Sequence, residues 1–172
     1  MELYRLGIKL FAGTGETMEL TEFVPIFHEW IQKQAIHDHL LIDVHNYSHM
    51  QDGPGILLVA HQGNFSIDKG ERTGLFYYRK QPVDSLADVL KPAIEACRLL
   101  ESDSNVRGRL HFRTNDLLII ANDRLVAPNN DETFQQLQPQ LSNALNQVVE
   151  KPFKLARISD DPKERLTIRA QA

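Results

Sequence analysis

Between Tyr4 and Phe11 the apolar positions Leu6, Ile8 and Leu10 alternate with Arg5, Gly7 and Lys9. A period of two is that of a half-buried strand, which the pattern predicts over Leu3–Phe11, closed by the turn Gly13-Thr14-Gly15. The period then changes. Leu20, Phe23, Val24, Phe27, Trp30, Ile31 and Gln34 fall on one stripe of a helix, with Thr21 as its cap and Pro25 tolerable near its start. The aromatic members of that stripe read as a core face rather than a ligand cage.

Two strand-like runs, Leu40–Ser48 and Ile56–Ile67, follow around the turn Asp52-Gly53-Pro54-Gly55, where Gly supplies positive φ and Pro fixes its own. A third run, Gly74–Lys80, comes after the polar turn Asp68-Lys69-Gly70-Glu71. Ser85-Leu86-Ala87-Asp88 resembles a capping box that opens a second helix to about Leu100, with Pro92 marking a kink or a late start. A meander of three short strands is predicted next, Arg109–Arg113, Asp116–Ala121 and Arg124–Ala127, with Asn115-Asp116 and Asn122-Asp123 at its turns. Pro128-Asn129-Asn130-Asp131 caps a third helix, whose stripe is Phe134, Leu137, Leu141, Ala144, Leu145 and Val148. The tail reads as a hairpin, Phe153–Ile158 and Arg165–Ala170.

Strands that follow one another between helices make antiparallel neighbours, so the class expected is α+β: a mostly antiparallel sheet of about six to eight strands with three amphipathic helices on one face. An elaborated ferredoxin-like core is the first topology this order suggests. No composition shift, flexible linker or internal repeat divides the chain, and 172 residues suit a single domain over 1–172.

Composition narrows the function classes. A formal charge of -4 argues against general nucleic-acid coating, which needs a net basic field. No run approaches the length of a membrane span, and the N-terminal residues lack a signal-peptide pattern, so the cytoplasm is the expected compartment. The single cysteine, Cys97, sits in an apolar helical pattern and reads as a small buried hydrophobe. Neither GxGxxG, GxxxxGK[ST] nor GxSxG occurs, and Gly13-Thr14-Gly15-Glu16-Thr17 lacks the lysine of a phosphate loop.

Two clusters could carry chemistry. Asp43, His45 and Tyr47 share one face of their strand, and His61 joins that face when opposed residue numbers sum to an even value. Asp43, His45 and His61 would then suit a divalent metal such as zinc or iron, with His49 and Tyr47 behind them; the alternative is a solvated, polar sheet face. Arg109, His111 and Arg113 alternate on another strand, with Arg79 and Arg124 on neighbouring segments. Arginine forks there could bind carboxylate or phosphate, as in a binder of phosphorylated metabolites, although alternating arginine is also how an open sheet face stays hydrated. His37 and His39 are expected to cap the end of the first helix, and His28 to be exposed. Of the adjacent Tyr77 and Tyr78, one should pack inward and the other face solvent or a partner.

A complete core pattern without a compelling catalytic set points to a regulatory or binding module for a small ligand or a protein partner. Such a module is expected to self-associate through terminal edge strands or a tyrosine of the Tyr77-Tyr78 pair. The rival expectation is a metal-dependent hydrolase or oxygenase built on Asp43, His45 and His61. Whether the chain is an enzyme, and whether it holds a cofactor, are left open by these residues.

Overall fold

In the structure, a computed structural model that describes residues 5–13, 18–69 and 72–172, eight strands form one sheet in the order β2-β3-β4-β5-β1-β6-β8-β7. The strands are β1 (Leu6–Ala12), β2 (Leu41–Asn46), β3 (Ile56–Ala60), β4 (Gly63–Asp68), β5 (Gly74–Arg79), β6 (Phe112–Ala121), β7 (Lys154–Arg157) and β8 (Leu166–Gln171). Every neighbouring pair is antiparallel. The helices are α1 (Phe23–Lys33), α2 (Ala87–Ser102) and α3 (Asp131–Val149). Among the described residues no helix is long and apolar enough to cross a membrane.

Alternation decides which face is covered. Leu6, Ile8 and Leu10 of β1, Leu75 and Tyr77 of β5, Leu117 and Ile119 of β6, and Leu166 and Ile168 of β8 are all buried in one core with Phe23, Phe27 and Trp30 of α1 and Val89, Leu90 and Cys97 of α2. α1 rests on β2 and β3, α2 on β1, β5 and β6, and α3 against α2 and β7. The three helices therefore cover one face, and α+β is the class. β5 and β6 both pair with β1 between them, so β5-α2-β6 is a split β-α-β unit.

Several expectations shift in detail. The run Ile56–Ile67 is two strands, because His61 and Gln62 form a tight turn and β4 returns along β3. The expected meander is one strand, β6. Asn115-Asp116 does not break it because Asp116 accepts two hydrogen bonds from Arg169 of β8, at 3.0 and 2.8 Å, which keeps a turn-former inside the ladder. Arg109 precedes the strand, and residues 124–127 are a turn in which the Asp123 carboxylate accepts from the Leu125 and Val126 N–H groups. Pro92 lies inside α2 without ending it. The start of α1 is prepared by a turn at Leu20–Glu22, in which Glu22 accepts from the Glu19 N–H at 2.8 Å, rather than by Thr21. α3 starts where expected, its first turn capped by Asn130, whose side chain accepts from the Thr133 N–H. Residues 1–4, 14–17, 70 and 71, with the expected beginning of β1 and parts of two expected turns, lie outside the described residues.

Candidate functional site

Of the three residues of the expected metal set, two come together. Asp43 and His45 lie on the open face of β2, a sheet edge, with His45 Nε2 3.6 Å from Asp43 Oδ2. Over Asp43–Asn46 the register is the even one, with His45 opposite Leu57 and Asp43 opposite Val59, and it shifts by one at Leu41, nearer His61. Parity over that stretch favours His61, but distance does not. His61 follows Leu57 by four positions, about 13 Å along a strand at ~3.3 Å per residue, and its Nε2 lies 2.8 Å from Gln81 Nε2. Among the described residues no group of three His, Cys, Asp or Glu side chains could hold a metal ion. We expect untagged protein purified without chelators to carry well under one transition metal per chain by elemental analysis, unchanged in His45→Ala and His61→Ala. A stoichiometric metal lost in either variant would reverse this placement.

The expected anion set is also dispersed. Arg109 sits in the turn before β6 and grips Glu22 with both terminal nitrogens, at 2.9 and 3.1 Å. That hydrogen-bonded pair holds the Glu22 carboxyl below its ordinary range. His111 and Arg113 are exposed. Arg124 donates to the Lys163 carbonyl. Cys97 is buried, and burial drives its thiol pKa well up, away from nucleophilic use. His28 is exposed, as its place off the apolar stripe predicts.

The residues that converge lie elsewhere. α1 ends at Gln34, which takes a left-handed conformation at φ 47°. Its side-chain amide donates to the Ile31 and Leu41 carbonyls and accepts from the Leu41 N–H, fixing the turn into β2. The Glu95 carboxylate of α2 accepts from the His37 N–H at 3.0 Å and holds the same turn against that helix. His39 is thereby carried inward rather than capping α1, and is buried between Phe65 and Tyr77.

His39 Nδ1 lies 2.9 Å from the His37 carbonyl oxygen, which can only accept, so Nδ1 carries the proton. The neutral ring then accepts at Nε2 from the Tyr77 hydroxyl, 2.6 Å away. Arg79 Nη1 donates in turn to the Tyr77 oxygen at 3.3 Å, while its Nε donates to the Gln81 carbonyl. Burial lowers the His39 pKa and raises that of Tyr77, with Arg79 opposing the second shift. Gly63 makes the arrangement possible: a Cβ there would come within 2.6 Å of the Tyr77 oxygen.

This chain of donors ends at the floor of a cleft of about 340 Å³ between the α1–β2 turn, the β5–α2 loop and the first half of α2. His39 and Arg79 line it together with Asp38, Asp84, Asp88, Lys91 and Glu95. Arg79 is fixed through Nε and Nη1, and its Nη2 has no hydrogen-bond partner among the described residues. An arginine held through Nε and Nη1 can offer Nη2 to a carboxylate, and acidic side chains nearby would favour a positive charge on the same molecule. Parity could have found Arg79: it shares the Leu75–Tyr77 face of β5, so it points toward the helices although it is charged. His39 has no comparable signal, since loop geometry brings it in, whereas Asp88, Lys91 and Glu95 recur at the three- and four-residue spacing of one face of α2. No protein family, curated protein or solved structure matches the chain.

Proposed function

We propose that the chain is a small-ligand-binding module that self-associates in the cytoplasm, and that the cleft beside Arg79 takes a small carboxylate-bearing molecule with an amino group, such as a free amino acid. The split β-α-β connectivity supports an elaborated ferredoxin-like core as the scaffold. A single cysteine kept as a buried thiol suits a reducing compartment.

The observation that carries the reading is Arg79, braced by Tyr77 and Gln81 with Nη2 unpartnered among the described residues. A volume of about 340 Å³ suits a small metabolite. A regulatory or carrier role is favoured over catalysis because Tyr77, the one group here joined to a proton acceptor, is buried out of reach of a ligand. A metal-dependent enzyme would need His61 to reach Asp43 and His45, and strand spacing opposes this.

Calorimetric titration with a panel of free amino acids, and with the matching carboxylic acids and amines, tests the proposal. At least one amino acid binds more tightly than its acid or amine counterpart. Arg79→Gln weakens that binding by roughly tenfold or more, the scale of a lost charge-assisted contact. Asp84→Asn, which leaves the Tyr77 network intact, weakens the amino acid but not the acid. No binding to the wild-type chain up to ~10 mM, the weak end of the affinity scale, would overturn the proposal.

A further inference from the structure

The face of the sheet opposite the helices remains uncovered, and it is not built like a surface meant for water. One row of side chains crosses all eight strands: His45 stands beside Leu57, then Ser66, Phe76, Lys9, Leu118, Arg169 and Ala156. Tyr78 and Ile120 flank Gly7 in the next row. Leu57, Val59, Phe76, Tyr78, Leu118 and Ile120 thus form an apolar belt that the helices do not touch. Ile158, beside Thr167 at the end of the same face, is 55% exposed.

The charges on this face are mostly neutralised within the chain. Lys9 pairs with Asp68, and Arg169 holds Asp116 through two hydrogen bonds. The Arg72 guanidinium lies 4.0 Å from the centre of the Phe11 ring. Paired charges lose less on leaving water than free ones do, so the face can be covered at moderate cost.

We propose that this face is the interface of a homodimer in which two sheets pack against each other. The inference rests on the self-association half of the proposed function and assigns it a surface. Area favours a second copy: eight strands at ~4.8 Å spacing and about 17–20 Å in length give roughly 600–750 Å² per protomer, near the ~800 Å² of a standard specific interface. The expected edge-strand contact is replaced by a face contact, with Tyr78 in it and Tyr77 buried in the core.

Sedimentation equilibrium of the full chain tests this, with circular dichroism melts to confirm folding of each variant. The wild-type chain is dimeric at ~10 µM, and Leu118→Lys raises the dimer Kd by about 100-fold, the scale of a charge placed at an interface centre. Phe76→Lys, in the same row as Leu118, weakens the dimer in the same direction. A wild-type chain monomeric at ~100 µM overturns both the surface and self-association. A dimer indifferent to Leu118→Lys and Phe76→Lys overturns the surface alone.

Discussion

Replacing Gly55 by alanine is expected to destabilise the protein by about 3 kcal/mol or more, among the largest effects a single methyl group can have. Gly55 ends the β2–β3 connection at φ 69°, and its carbonyl accepts from the Tyr47 N–H at 2.8 Å. A left-handed conformation alone costs a non-glycine residue roughly 1–2 kcal/mol. The larger part is steric. A Cβ at Gly55 would lie 1.9 Å from the Ile67 carbonyl oxygen, which belongs to the ladder joining β3 to β4. Relief requires β3 to move off β4 beside Ile56, which is paired with Ile67 and fully buried. Urea unfolding of Gly55→Ala and of Pro54→Ala, which leaves that contact alone, gives the comparison. A loss below ~1 kcal/mol in Gly55→Ala would mean the turn reshapes freely, since strained positions normally resist more.

Tyr77→Phe is expected to cost roughly 1–3 kcal/mol, because it leaves His39 Nε2 buried without its donor and Arg79 Nη1 without its acceptor. The hydroxyl is the only atom removed, so no cavity confuses the reading. The same site sets a pH dependence. His39 is lowered chiefly by burial and further by Arg79, while the His37 carbonyl, Glu95 and Asp38 act the other way. Its folded pKa therefore lies below the unfolded value near 6.5. Between those two values the unfolded chain binds more protons, so stability is fully present above about 6.5 and declines as pH falls through the folded pKa. In His39→Gln that part of the acid-side slope disappears. Chemical denaturation at a series of pH values from 8 to 5 measures it, and an unchanged slope in the variant would remove His39 as its source.

The class was legible because alternation survives burial on one face. Leu6, Ile8 and Leu10 announce β1 whatever its neighbours are, and the stripe from Phe23 to Trp30 announces α1 in the same way. Turn residues were less faithful witnesses. Asn115-Asp116 looks like a break until Arg169, 53 positions later in sequence, takes up the carboxylate. His61-Gln62 lacks glycine or proline at its centre, so a two-strand run looked like one. The candidate site was harder still. Periodicity says which face of β2 holds His45, but not how far along the sheet His61 lies. It says nothing of a turn that buries His39 through contacts with Gln34, Glu95 and Tyr77. Those contacts span separations that no local pattern encodes.

The place of β1 carries a consequence for synthesis. It is hydrogen-bonded on one side to β5 and on the other to β6, so it is the seam between a four-stranded half and a three-stranded half. Yet it is made before the other seven strands. Its second partner begins only at Phe112, so at ~5–20 residues per second Leu6, Ile8 and Leu10 stay without that neighbour for roughly 5–20 s. During that interval at least one edge of this apolar strand lacks its partner, although β5 at Gly74–Arg79 becomes available to the other edge first.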